Sequence, residues 1–317
     1  MHGPDSRHFS RPLKPSRVKK LPRLRASLLV ASPALAHDVI RILSDLHYGD
    51  RASRIGSLPA LAPLLDGVSR LLLNGDTLDT RPSAQPAATA ALRAEVTEFF
   101  TRQTPPATLL TGNHDPDIST HHALEFAGGQ ILVTHGDILF DDIVPWGRDA
   151  AVSRRRVAAE LARLGPEPRH RLANRLVAHR RAAAGIPQRH QAERHGLRYL
   201  LGFAADTVWP PQRILRVLRA WHETPRRASI LVQQHRPRVR FFVMGHVHRP
   251  GIWRRADGLV VLNTGSFCRP LGVAAIDLTP QGLVLRRIEQ RRGEFRPGPA
   301  LAEFALADAW EPATLAP

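Results

Sequence analysis

The sequence predicts an α/β fold built on a parallel or mixed sheet and interrupted by an inserted helical segment. Aliphatic runs of four or five residues recur along the chain and end in polar clusters, as buried strands do. Stretches with helical spacing alternate with them, which implies helices over the sheet and ligands beyond the carboxyl ends of its strands. Between residues 148 and 238 only helical patterns occur, and the strand rhythm resumes at 239.

The first strand, Val39–Leu43, runs through Ser44 into Asp45-Leu46-His47. Alternation at a strand end aims residues i and i+2 the same way. Asp45 and His47 thus offer a carboxylate and an imidazole to one point, which fits a metal site or a general-base pair. Ile55–Leu65 reads as a short helix. Arg70–Asn74 is a second strand, ending in Gly75-Asp76-Thr77-Leu78-Asp79. Ala87–Thr101 is a helix with Leu92, Val96, Phe99 and Phe100 on one face, stopped by Pro105-Pro106. Thr108–Thr111 leads to Gly112-Asn113-His114-Asp115, and Gln130–Thr134 to His135-Gly136-Asp137.

The inserted segment shows helical patterns at Ala150–Leu164, His170–Ala184, Arg194–Ala205 and Gln212–His222. Residues 148–240 hold 21 arginines and no lysine. Such insertions cap the active edge of α/β sheets, so residues 148–238 are expected to form an Arg-rich helical cap. Val239–Met244 then leads to Gly245-His246-Val247-His248, and Gly258–Leu262 to Asn263-Thr264-Gly265-Ser266. Val273–Asp277 and Leu283–Ile288 read as a closing hairpin around Pro280-Gln281-Gly282. The core is therefore 38–147 with 239–290, and the Pro- and Ala-rich residues 291–317 read as a loose tail.

Apolar content of 43% and charged content of 23% are those of a soluble globular chain. The net charge of +17 favours acidic partners: nucleic acid, anionic lipid or phosphorylated substrates. The single cysteine, Cys268, excludes an internal disulfide framework and suits a reducing cytoplasm. No apolar run approaches the roughly 20 residues that span a bilayer, so at most a peripheral membrane contact is expected. Residues 1–37 are basic and Pro-rich and read as an arm with little order. A secretory reading rests on Ala26–Ala31 and Ala34-Leu35-Ala36. Pro33 interrupts that stretch and the first strand follows two residues later, so export is not expected.

Asp45-x-His47, Gly75-Asp76-x-x-Asp79, Gly112-Asn113-His114-Asp115, His135-Gly136-Asp137 and Gly245-His246-x-His248 stand at five strand ends in this order. The set resembles the calcineurin-like metallophosphoesterase superfamily over residues 39–147 and 239–290. The resemblance implies a four-layer αββα sandwich with an inserted α-helical cap, and two divalent metal ions. Asp45, His47 and His248 would hold one ion, Asn113, His135 and His246 the other, with Asp76 bridging. His114 would act as general acid or phosphoryl stabiliser, its tautomer fixed by Asp115, while Asp79 and Asp137 would hydrogen-bond to ligands. The residue types agree with this: mixed carboxylates and imidazoles suit Mn first, or Fe or Zn, and nothing resembles a thiolate site. Two such ions activate a bridging water and clamp an in-line displacement. Asn263–Ser266 would form a loop beside the site, and His121-His122 reads as surface.

The expected activity is hydrolysis of a phosphoester or pyrophosphate bond of an acidic substrate by metal-activated water. Three narrower readings stay open. The insert and Thr134–Asp142 resemble the UDP-2,3-diacylglucosamine pyrophosphohydrolases of lipid A synthesis, although those enzymes carry Arg where this chain has His114. The Arg-rich insert also fits a DNA-repair-type nuclease, whose binding would depend steeply on salt. A non-catalytic scaffold of the same fold is the third, although every expected ligand is present. In the insert, Arg213, Arg216 and Arg219 flank the apolar stripe Ile214, Leu215, Val217, Leu218 and Trp221. That pattern fits a helix packed on the core or one lying on an anionic membrane.

Overall fold

The strand β1 (Ile40–Leu43) is buried at all of its positions because it lies inside one sheet and is covered on both faces. It pairs in parallel with β2 (Arg70–Asn74), which pairs in parallel with β3 (Ala107–Leu110). On its other side β1 pairs antiparallel with β9 (Ala274–Thr279), followed outward by β10 (Gly282–Arg291) and β11 (Glu294–Ala305). The second sheet has the order β12 (Thr314–Leu315), β4 (Ala123–Phe126), β5 (Ile131–Thr134), β6 (Phe241–Met244), β8 (Val260–Asn263) and β7 (Gly251–Arg254). Within it, β5, β6 and β8 are parallel. This computed structural model describes residues 38–165, 171–188, 211–306 and 314–315.

Alternation along the strands divides the apolar side chains between three interfaces. Ile42, Leu72 and Leu110 of the first sheet meet Phe126, Val133, Val243 and Leu262 of the second in the central core. The outward residues Leu43, Leu71 and Leu73 pack on Val96 and Phe100 of α1 (Pro86–Arg102) and on Leu58, Leu61 and Leu64. On the far side, Leu132, Phe242, Met244 and Val261 pack on α3 (Leu172–Ala184) and α4 (Gln212–His235). The result is the predicted helix–sheet–sheet–helix sandwich. No helix among the described residues is long and apolar enough to cross a membrane.

Four expectations are corrected. The segment read as a helix at 55–65 is a 3-10 helix, Leu58–Leu64, containing Pro63, which lacks the N–H needed to continue an α-helix. The last helix of the insert does not stop at His222 but continues to His235 through Pro225. Ala228, Leu231 and Val232 bury against the second sheet, and that packing outweighs a Pro penalty of about 3 kcal/mol. The insert is therefore only partly a cap: α3 and the second half of α4 are the outer layer of the sandwich, while α2 (Ala150–Arg163) packs on α3 through Val157, Ala182 and Ala183. The residues beyond 291 are not a loose tail through 305, since β11 runs beside β10 for most of its length. Its Pro297 and Pro299 are tolerated because β11 is an edge strand, and Phe295 and Phe304 anchor it. The arm at 1–37 and the helix at 194–205 lie outside the described residues.

The apolar stripe of α4 divides between its two halves. Trp221 donates its indole N–H to the carbonyl of Val247 at 2.9 Å, whereas Ile214, Leu215 and Leu218 are 43%, 65% and 49% exposed.

One buried ion pair ties the first sheet together. Arg41 and Asp277 face each other across β1 and β9, 5% and 6% exposed. Arg41 Nε and Nη2 donate to the two carboxylate oxygens at 2.7 and 2.9 Å, and Nη1 donates to the carbonyl of Leu64 at 2.8 Å. Asp277 Oδ2 also accepts from Arg286 Nε at 2.9 Å, so removing Asp277 strands the Arg41 charge in the core and takes a partner from Arg286. Asp277→Ala is expected to cost about 3–5 kcal/mol of stability, read as a shift of the urea midpoint, whereas a change below about 1 kcal/mol would contradict this account.

Candidate metal centre

The parallel strands of both sheets bring their carboxyl ends to one edge, and the polar clusters follow directly. Backbone bonds stitch the turns together: Asp45 N–H to Gly75 O at 3.1 Å, His47 N–H to Asp76 O at 3.0 Å and Gly245 N–H to His135 O at 2.9 Å. Asp45, His47, Asp76, His246 and His248 all adopt positive φ, from 47° to 68°. Such turns fold each side chain back over the end of its strand. Two glycines allow the close approach: a Cβ at Gly112 would lie 2.2 Å from Asp76 Oδ1, and one at Gly245 would lie 2.0 Å from Asp45 Oδ2.

The predicted ligands converge. His47 Nε2 and His248 Nε2 stand 3.1 Å apart, and Asp45 Oδ1 lies 3.1 Å from His248 Nε2 and 3.8 Å from His47 Nε2. Asp76 Oδ2 lies 3.8 Å from His47 Nε2 and 3.3 Å from His135 Nε2, so it sits between the two groups. Asn113 Oδ1 is 3.2 Å from His135 Nε2. The His246 ring packs edge-on against His135, with centroids 5.2 Å apart. Two histidines have their tautomers set from behind. His135 Nδ1 donates to the carbonyl of Asn74 at 3.1 Å and His246 Nε2 to that of Ile143 at 2.8 Å. That leaves a lone pair on His135 Nε2 and on His246 Nδ1.

Electrostatics favour a cation here. Burial would raise Asp45, yet hydrogen bonds from His248 and His47 hold it far below the carboxylate range. Asp76 is likewise lowered against its burial by the charges of His135 and His114. Burial opposes the charging of His47 and His135, but the same carboxylates raise His47 to about 9 and His135 well above the usual value. His246 is lowered to about 4 by burial and by His135, as suits a neutral ligand. Carboxylate, carboxamide and imidazole donors without thiolate fit two divalent ions of the Mn, Fe or Zn type. Asp45 with His47 and His248, and Asp45 with Asp76 and His135, are spaced to share an ion.

His114 stands over this cluster, its ring edge-on to His47 with centroids 5.0 Å apart. Its tautomer is not fixed by Asp115. That carboxylate is fully buried and accepts the backbone N–H groups of Gly112, Asp76 and Thr77 at 2.7, 2.9 and 2.7 Å, pinning two strand ends together. Asp79 contacts His114 instead, with Oδ2 2.9 Å from Nδ1, so it stands beside His114 and not beside an expected metal ligand. Arg81 clamps Asp79 with bonds of 3.0 and 2.6 Å and lies 2.9 Å from the same His114 nitrogen. Burial and Arg81 keep the His114 imidazolium less stable than usual, against the pull of Asp76 and Asp79. With Nδ1 engaged, Nε2 is the nitrogen left for a substrate. Asp137 is buried beside the site, where its charge helps raise His135.

Arg81 carried no motif signal, because an arginine two residues after Asp79 is unremarkable in so basic a chain. The same holds for Ser44, whose hydroxyl donates to Asp45 Oδ2 and meets Thr264 Oγ1 at 2.6 Å. Asn263–Ser266 is the expected loop beside the site: Asn263 Nδ2 donates to Gly245 O at 2.5 Å and Ser266 Oγ to Asp45 O at 3.1 Å. The surface reading of His122 is corrected, since it is half-buried with Nδ1 2.6 Å from Thr111 Oγ1 and is lowered to about 4, mainly by burial. A cleft of about 210 Å³ opens from Asn113 and His114 towards the helices, walled by Ile143, Trp146 and Ile186 and flanked by Arg81 and Arg213.

Residues 39–250, more than half of the chain, match the family described as calcineurin-like phosphoesterase. The chain belongs to that family. Among solved structures it is similar to vacuolar protein sorting 29 of Cryptosporidium parvum, at 13% identity over 85% of this chain and 98% of that one, with a TM-score of 0.35. It is also similar to a dimetal phosphatase from Danio rerio, at 15% identity over 79% and 95% of the two chains, with a TM-score of 0.39. No curated protein sequence matches it.

In the metal-free site His47 keeps its proton up to about 9, so ion binding must expel protons. Affinity for Mn²⁺ is expected to rise between about pH 6 and 9, with proton release measurable by calorimetry in buffers of different ionisation enthalpy. Asp76→Ala should abolish the uptake of about two ions per chain. Affinity independent of pH would contradict these assignments.

Proposed function

We propose that the chain hydrolyses a phosphoester or pyrophosphate bond of an acidic substrate, a phosphorylated small molecule or lipid head group, at a dinuclear metal centre. One observation carries the reading: all seven expected ligands, Asp45, His47, Asp76, Asn113, His135, His246 and His248, are retained around one point. Two bound divalent ions would supply a nucleophilic water and neutralise phosphoryl oxygens. The carboxylates and imidazoles would hold them, Asp76 lying between the two groups of ligands. Asn74 and Ile143 orient His135 and His246 through their carbonyls.

His114 is suited to serve the leaving oxygen. Asp79 accepts from Nδ1–H, so the imidazolium carries its second proton on Nε2, and burial and Arg81, which make that cation less stable, ease the proton's delivery to the oxygen that departs. Arg81 holds Asp79 in place and supplies positive charge to the mouth of the cleft. The wall of Ile143, Val144 and Trp146 excludes water from one side of the reaction. The same ligand set disfavours a non-catalytic scaffold, which has no need of it.

Hydrolysis by Mn²⁺-loaded full-length protein tests this on four substrates: an aryl phosphomonoester, an aryl phosphodiester, UDP-diacylglucosamine and single-stranded DNA. Turnover of at least one is expected, abolished in Asp76→Ala. His114→Gln should lower kcat by about 10²–10⁴-fold while leaving the metal content intact. Release of UMP from UDP-diacylglucosamine would select the lipid A reading, and salt-sensitive nucleotide release from DNA the nuclease. Metal binding without turnover on any substrate would overturn the proposal in favour of a scaffold.

A further inference from the structure

The helical insert reaches the reacting end of the site through one side chain. After α3 the chain turns at Gly185 and passes Ile186 and Pro187, which line the cleft together with Arg81 and His114. Gln188 follows and lies against the turn that carries Asp79 and Arg81. Its backbone N–H donates to the carbonyl of Pro82 at 2.8 Å. Its Nε2 donates to the carbonyls of Asp79 at 2.7 Å and Arg81 at 2.9 Å. The reverse amide orientation would set Oε1 against two carbonyl oxygens, so these contacts decide which end is the donor. Oε1 is left buried, with no hydrogen-bond partner among the described residues. A buried unpaired acceptor is destabilising and is tolerated where geometry is kept for function.

The turn from Asp79 to Pro82 belongs to no helix or strand, so its place depends on bonds to its neighbours. Towards the core, Thr80 N–H donates to the carbonyl of His114 at 2.9 Å. Towards the insert, the carbonyls of Asp79, Arg81 and Pro82 all accept from Gln188. Asp79 and Arg81 in turn hold each other and each lie 2.9 Å from His114 Nδ1. We propose that Gln188 is a positioning residue for His114. It holds the Asp79–Arg81 turn so that Nδ1 stays engaged and Nε2 faces the departing oxygen. Small displacements matter here, because a hydrogen bond weakens steeply once its distance and angle are lost. The insert thereby serves proton delivery as well as walling the cleft with Ile186. The inference rests on the phosphoesterase reading and deepens it by adding a residue of the insert to the support of its proton donor.

Gln188→Ala removes the two side-chain donations, and Gln188→Glu keeps the length of the side chain without the amide donors. In Mn²⁺-loaded full-length protein, on an ester that the wild type turns over, both should lower kcat by about 10–100-fold. KM should change by less than about 3-fold, since the substrate's own contacts remain. In the His114→Gln background, Gln188→Ala should lower kcat further by less than about 2-fold, because the group it positions is gone. A second readout needs no turnover. In Zn²⁺-loaded protein, long-range proton–nitrogen NMR reports which ring nitrogen of His114 carries the proton, with His114→Gln identifying the signals. The wild type should show the Nδ1–H form, and Gln188→Ala a shift towards a mixture of both forms. Unchanged ring signals in Gln188→Ala would overturn the proposal. So would an equal kcat loss in both backgrounds, or a rise in KM alone, which would make Gln188 a substrate contact. A wild type that turns over no substrate would remove the phosphoesterase reading, while shifted ring signals would leave the positioning of His114 standing.

Discussion

Five of the residues gathered at the metal centre hold left-handed backbone conformations, which cost an L-residue with a side chain about 1–2 kcal/mol each. No local preference explains them. They persist because each turn is fastened on both sides, to a neighbouring strand end by backbone bonds and to a buried carboxylate by side-chain bonds. Asp115 gathers three N–H groups from the turns after β2 and β3, and Asp45 accepts the N–H of His246 from the other sheet at 3.1 Å. The two sheets are therefore joined at this edge by polar bonds as well as by the apolar core behind it. Strain of this kind accumulates where function needs geometry that ordinary folding would avoid.

The same edge concentrates charge. Buried carboxylates and imidazoles lie within hydrogen-bonding distance of each other, and in the absence of cations their protons are held by mutual attraction. That arrangement stores affinity for divalent ions in the fold itself. Outside it, Arg81 and Arg213 line the cleft that opens from Asn113 and His114, so positive charge also stands at its mouth.

Much of the site was legible in the sequence because each ligand follows an aliphatic run that could only be a buried strand. Asp45, Asp76, Asn113, His135 and His246 are found where a strand-end reading puts them. What the sequence hid was set by tertiary context. Pro225 reads as a helix stop, yet the apolar positions beyond it bury against the second sheet. Pro297 and Pro299 read as tail, yet an edge strand leaves one row of its N–H groups unpaired and accommodates them. β4 and β7 are four residues each and carry no polar signature, so only their partners define them. The exchange of roles between Asp79 and Asp115 was invisible for a similar reason: adjacency to His114 in sequence says nothing about which carboxylate turns towards its ring.

The pairing of β1 with β9 joins residues more than two hundred positions apart, with Ile40 opposite Leu278. A chain emerging from the ribosome thus exposes one open flank of its first sheet until the hairpin of β9 and β10 has been made. The parallel β1–β2–β3 unit can assemble early but must wait, half-covered, for its closing partners. Folding to the finished sandwich is in this sense deferred until β9 and β10 have been made, and the interval is when a chaperone holding the β1 flank would have most to protect.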